Sequence, residues 1–164
     1  MAFLLGKRIK IISTIPDDDS LGRVEGTGIK WYSEDELELA DESDCSLRKR
    51  IDKEVMVYLA GQIAEKERTG NKLDGYYLVD DTGSVAFMAK FPGSNEQIAS
   101  YYEWLSARTR ETILVKQNWH AIEILAKELL TEREIKGGEA HRIIENAYKD
   151  FGLIKSGGVG ALNL

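Results

Sequence analysis

Two histidine–glutamate pairs are the parts of the sequence best suited to metal chemistry. His120 precedes Glu123 by three residues and His141 precedes Glu145 by four, so each pair would share one face of a helix. Catalytic zinc is held by three protein ligands, and neither spacing supplies the third. We therefore interpret both histidines as ordinary residues on charged helices.

Other patterns that carry chemistry are incomplete or absent. The acidic run Asp17-Asp18-Asp19 lacks the alternating ligands and downstream glutamate of a calcium loop, so it predicts a solvated turn. The sequence contains no HExxH, no GxSxG, no Walker-type GxxxxGK and no GxGxxG. The residues alone therefore indicate no complete active site.

Composition narrows the class of protein. The chain has 164 residues, a size typical of one domain, and 43% hydrophobic residues are enough for a core. Its net charge of −6 argues against nucleic-acid binding, which needs a basic face. The single cysteine, Cys45, excludes an internal disulfide and a multi-cysteine zinc site. No apolar run is long enough to span a bilayer, and we expect a cytoplasmic protein without a membrane partner.

The first third of the chain predicts a small sheet. Met1–Gly6 is typical of the last turn of an apolar helix ended by a glycine cap. Alternating apolar residues in Lys7–Thr14 predict a strand, and Leu21–Trp31 predicts a second. Gly22, Gly26 and other glycines near Val24 indicate an edge strand or one that another backbone approaches closely.

A long helix over Ile51–Glu67 is predicted by its apolar spacing. Ala60, Gly61 and Ala64 form what we call the small-residue face of this helix. Glycine inside a helix costs about 1 kcal/mol relative to alanine, and close packing of another backbone is a common reason to tolerate it. We therefore expect a neighbouring helix on the small-residue face.

The remainder of the chain predicts a mostly helical body with antiparallel C-terminal helices, which makes the fold class α+β. Ser94 or Asn95 caps one helix and Asn118 the next, while Gly137-Gly138 indicates a loop. We expect one domain over 1–154 and a flexible glycine-rich tail over 155–164. The apolar residues predicted to face the core are Ile98, Tyr101, Tyr102, Leu105 and Ile113, then Trp119, Ile122, Leu125, Ala126, Leu129 and Leu130, then Ile143, Ile144, Ala147 and Tyr148.

Three segments in order resemble the peptidase domain of FtsH-type ATP-dependent zinc proteases, and resemble even more its small stand-alone bacterial relatives. They are IKIISTIPDDDSLGRV at 9–24, YLAGQIAE at 58–65, and the helical block over 94–144. The resemblance implies a zincin-like domain. In that family a helix carrying HExxH immediately precedes the first strand, its two histidines bind zinc, and its glutamate is the base.

The resemblance also assigns roles to residues of this chain. Met1–Gly6 is similar to the C-terminal end of the HExxH helix, so that helix would be the neighbour expected on the small-residue face. The family's third zinc ligand is an acidic residue after the small-residue helix, at the start of the next helical segment. Asp81 matches that place, with Asp80 as its competitor.

Two functions follow from the resemblance. If the native protein carries an upstream HExxH, it is a small zinc metallopeptidase that binds peptide substrates along the edge strand at Gly22, Val24 and Gly26. If it does not, it is a non-catalytic binding or assembly module whose small-residue face accepts a partner helix. In both cases the sequence shown is expected to hold no zinc and to be inactive by itself. It is also expected to need no ATP, because the ATPase module is absent.

Overall fold

The computed structural model describes residues 1–16, 22–26, 45–70 and 94–151. Within these ranges the protein has a small antiparallel sheet and is otherwise mostly helical, which confirms the α+β class. None of the described helices is long and apolar enough to cross a membrane. The elements are β1 (Ile11–Ser13), β2 (Arg23–Glu25), α1 (Cys45–Thr69), α2 (Asn95–Leu114), α3 (Lys116–Glu132), β3 (Glu134–Lys136) and α4 (Gly137–Lys149).

The chain divides into two compact units. One contains residues 1–28 and 114–164, and therefore holds the sheet with α3 and α4. The other contains residues 29–113, and therefore holds α1 and nearly all of α2. Part of the predicted second strand, over 27–31, lies outside the described residues.

The sheet has the strand order β2-β1-β3, with both pairs antiparallel. The predicted small sheet in the first third is present as β1 and β2, and β3 joins it from the C-terminal half. Ile135 is buried between exposed Glu134 and Lys136, and an alternation of three residues is too short to identify a strand from sequence. Gly137 and Gly138, predicted as a loop, begin α4 instead.

The core of the first unit lies between the sheet, α3 and α4. Buried Ile9, Ile12, Ile135 and Ala140 form one cluster, against which Phe3 and other apolar residues pack. The predicted apolar face of α4 is confirmed, since Ile144, Ala147 and Tyr148 are buried and Ile143 packs against the first cluster. On α3 the prediction is wrong at Ala126, which is exposed, and at Leu130, which is 83% exposed, whereas Ala121 is buried.

The N-terminal turn forms the predicted helix end. The Leu5 N–H donates to the Met1 carbonyl oxygen, as in an α-helix. The Gly6 N–H then donates to Phe3 and the Lys7 N–H to Ala2, while Gly6 has a φ of +68°. These two bonds and the left-handed glycine are those of a Schellman motif, so the predicted glycine cap is confirmed.

Of the two predicted helix caps, one is confirmed and one is wrong. The Ser94 Oγ accepts from the Gln97 N–H, and the Gln97 side chain accepts from the Ser94 N–H, which is a reciprocal capping box. Asn118 lies inside α3 instead of before it. Its side chain is buried and accepts a hydrogen bond from the Tyr148 hydroxyl, so it joins α3 to α4.

Candidate functional site

Strand β2 forms one edge of the sheet, with β1 on its inner side. Within the described residues no strand lies on its outer side. Val24 pairs with Ile12, which pairs with Ile135, so the three side chains lie in one row on the same face. Ile12 and Ile135 are buried, but Val24 is 45% exposed. The apolar row therefore reaches the edge of the sheet, where its last side chain stays accessible.

The glycines on either side of β2 are required by the backbone of β1. A Cβ at Gly22 would stand 2.9 Å from the Ser13 carbonyl oxygen, and one at Gly26 would stand 2.7 Å from the Lys10 nitrogen. Gly26 also has a φ of +94°, which only glycine adopts easily. The predicted edge strand and the predicted close approach are both present here, and Gly26 ends the extended segment.

The two charged residues of β2 form an ion pair with each other. Arg23 Nε lies 2.9 Å from Glu25 Oε1, and the two side chains are 37% and 44% exposed. Residues two apart in a strand share a face, so the pair lies on the face opposite Val24. The edge strand therefore presents an apolar side chain on one face and one charge of each sign on the other.

The small-residue face of α1 is accessible at its glycine. Gly61 is exposed, and no atom of the described residues lies within 4 Å of the position that its Cβ would take. Ala60 and Ala64 are half-buried. The described part of the chain thus places no helix against Gly61, and the partner helix stays a prediction.

The residues assigned to zinc are not brought together by the described structure. Asp80 and Asp81 lie outside the described residues. The next described helix after α1 is α2, and its first turn carries one acidic residue, Glu96. In the described ranges no three residues among His, Cys, Asp and Glu are grouped so that they could hold a metal ion.

Both histidines have other partners. His120 Nε2 lies 3.2 Å from Asp150 Oδ2, and His141 Nδ1 lies 2.8 Å from the carbonyl oxygen of Gly137. A carbonyl can only accept, so Nδ1 of His141 carries the proton. The described residues therefore do not fit a catalytic zinc ion, which needs three protein ligands.

A polar cluster in the second unit was not predicted from the sequence. The Tyr101 hydroxyl accepts from Arg48 Nε at 2.9 Å and donates to Asp52, and the Arg48 guanidinium lies 4.1 Å from the centre of the Tyr101 ring. Burial raises the pKa of Asp52 above its ordinary value, and the charges of Arg48 and Arg108 oppose that rise. The spacing of Arg48 and Asp52, four residues apart on α1, is the sequence signal from which this pair could have been predicted.

Comparisons with known proteins identify no relative. No family model matches the chain, and neither the curated proteins nor the solved structures contain a match.

Proposed function

We propose that this protein is a peptide-binding domain of the FtsH-type peptidase kind, which receives an extended polypeptide along the outer edge of β2. The observation that carries the proposal is the exposed end of the apolar row at Val24, on a strand with no described neighbour on its outer side. Main-chain hydrogen bonds to a sheet edge supply affinity, and alternate side chains supply specificity.

The register of the sheet defines the kind of peptide that fits. The peptide residue opposite Val24 would point to the face of Ile12 and Ile135, where an apolar side chain shields Val24 from water. Its two neighbours would point to the face of Arg23 and Glu25, where polar or charged side chains are suited. The expected ligand is an extended segment with one apolar residue between two polar ones.

The order of elements agrees with the resemblance noted in the sequence. A capped helix end at Met1–Gly6 is followed by β1, by the edge strand β2 and by the long helix α1, which carries the small-residue face. This agreement supports a peptidase-like domain. Because HExxH is absent from the sequence, the activity that we propose for this chain is binding without cleavage.

The experiment that tests peptide binding compares two exposed apolar positions. Val24→Lys places a charge in the row at the edge strand, whereas Leu130→Lys changes a side chain of α3 that is 83% exposed. With a fluorescent peptide that alternates apolar and polar residues, we expect Val24→Lys to weaken binding about tenfold or more, since burial of a valine contributes roughly 1.5 kcal/mol. Leu130→Lys should bind as the wild type does. Equal affinity of all three proteins would contradict the proposal.

A second candidate function is zinc-dependent hydrolysis of peptide bonds by a form that carries an HExxH helix ahead of Gly6. The helix end at Met1–Gly6 favours it, because that is where the resemblance expects the HExxH helix to finish. Zinc content and casein cleavage of such a form test it. Asp81→Ala and Asp80→Ala then compare the two candidates for the third ligand, and the ligand is the one whose loss removes zinc. Zinc content unchanged by Asp81→Ala would exclude Asp81.

A further inference from the structure

The edge segment Gly22–Gly26 has a self-complementary sequence. Read in either direction, Gly-Arg-Val-Glu-Gly has a glycine, a charge, an apolar residue, the opposite charge and a glycine. We propose that β2 pairs antiparallel with β2 of a second copy of this chain, about a two-fold axis at Val24. The partner is thus another molecule of the same protein, held by the same surface on both sides.

The two-fold register places complementary groups opposite one another. Arg23 of each copy would lie opposite Glu25 of the other, where directly opposed strand residues have Cβ atoms about 4.5–5.5 Å apart. The ion pair now formed within β2, with 2.9 Å between Arg23 and Glu25, would be replaced by two pairs between the copies. Parallel pairing in register would instead oppose arginine to arginine, so the charges select the antiparallel arrangement.

The apolar row supplies the contact at the axis. Val24 is 45% exposed and ends the row that begins with buried Ile135 and Ile12. In the dimer the two Val24 side chains meet on one face, and the row runs without interruption through six strands. At the flanks Gly22 faces Gly26 of the other copy, so no side chain obstructs the approach of the two backbones.

The predicted contact is small. Gly26, with a φ of +94°, leaves the extended conformation, so only three residues of each copy pair. An interface far below about 1,200 Å² is typical of weak, transient association. Exposed ion pairs contribute little affinity, so the charges mainly determine the orientation while the backbone bonds and Val24 hold the copies together.

The test is charge exchange followed by sedimentation equilibrium over a wide range of protein concentration. Arg23→Glu alone or Glu25→Arg alone would oppose like charges at both ends of the contact, and we expect each to weaken self-association about tenfold or more. An equimolar mixture of the two variants would restore opposite charges and recover dimerisation as a heterodimer. The double variant R23E/E25R should recover the homodimer.

The mixture distinguishes loss of dimerisation through like charges from loss through misfolding, because mixing two misfolded variants would not restore dimerisation. Arg142→Glu is the matched control, since it breaks an exposed arginine–glutamate pair on α4 and should leave association unchanged. The proposal is overturned if the wild type is monomeric at every concentration, if the single variants associate as the wild type does, or if the mixture fails to recover.

Dimerisation would cover the edge to which we assign peptide binding, but it does not depend on that assignment. Sedimentation is therefore measured without peptide, and peptide binding at protein concentrations below self-association. A monomer that binds peptide overturns the dimer alone. If dimerisation follows the charge-exchange pattern but the protein binds no peptide, only the peptide-binding proposal is overturned.

Discussion

Gly137 and Gly61 both lie in helices, but their surroundings are opposite. Gly137 starts α4, is buried, and its N–H donates to the Lys10 carbonyl at 2.6 Å. A Cβ there would stand 2.6 Å from the Ile9 carbonyl carbon, far inside contact distance. Gly61 lies in the middle of α1, is exposed, and has no described atom within 4 Å of its Cβ position. The helix glycine that another backbone approaches is therefore Gly137, which the sequence had indicated as part of a loop.

The difference shows that a helix needs glycine at a given position only where the backbone of a second segment lies against it. In the first unit Ile9 and Lys10, the two residues before β1, lie against the first residue of α4, and the backbones themselves are in contact. In the second unit α1 and α2 are connected by long polar side chains, namely Arg48 and Asp52 with Tyr101, and Glu67 with Arg110. Side-chain bonds of this kind do not require a glycine in either helix, and no described atom approaches Gly61.

The largest effect on stability is expected at Gly137, where the backbone of Ile9 lies against the start of α4. Gly137→Ala introduces a Cβ where the Ile9 carbonyl stands, and relief requires a shift of backbone, so we expect the free energy of unfolding to fall by about 3 kcal/mol. Urea denaturation measures it. Gly138→Ala is the matched control, because its Cβ would meet open space, and it should change stability by less than about 1 kcal/mol. Equal stability of the two variants would contradict the close approach.

A smaller effect is expected in the polar connection of the second unit. Tyr101→Phe keeps the ring beside Arg48 but removes the hydroxyl that accepts from Arg48 and donates to Asp52. Two half-buried charged groups would each lose one hydrogen bond, at a cost of about 1–2 kcal/mol in the free energy of unfolding. Ser100→Ala, an exposed change one residue earlier, serves as the control in the same denaturation series. If the free energy of unfolding falls equally little in both variants, the Tyr101 hydroxyl does not connect α1 to α2 as described.

The smallest change in stability is expected at Gly61. Its sign shows whether another segment packs against the small-residue face. Gly61→Ala should raise the free energy of unfolding by about 0.5–1 kcal/mol, because alanine is the better helix former and nothing described obstructs its methyl group. Ala64→Gly should lower stability by a similar amount, which verifies that the measurement resolves such changes. A loss of stability in Gly61→Ala would mean that a segment does pack there, and would restore the predicted neighbour of the small-residue face.

The features predicted correctly are those whose bonding partners lie within a few residues. The cap at Gly6 and the N-cap at Ser94 are of this kind. Leu130 has the right spacing for the apolar face of α3, yet it is exposed. Spacing places a residue on a helix face, but the elements packed against that face decide which part of it is covered.

Part of the candidate site at β2 could likewise be predicted from the sequence, and part could not. The edge character of β2 follows from glycines that can be identified in the sequence, so Gly22, Val24 and Gly26 were recognised together. The row from Ile135 through Ile12 to Val24 required β3, which lies more than a hundred residues along the chain from β1. Only that third strand shows that Val24 is the accessible end of a buried row.

The sequence alone determined the fold class, the helix ends at Gly6 and Ser94, and the position of β2, because propensity, periodicity and capping act over short separations. The tertiary structure decided that β3 joins the sheet, that Asn118 bonds Tyr148, and that Gly137 accommodates the backbone just before β1. Each of these is a contact between segments far apart in the sequence. Such a contact depends on the shapes of both segments, so neither segment alone predicts it.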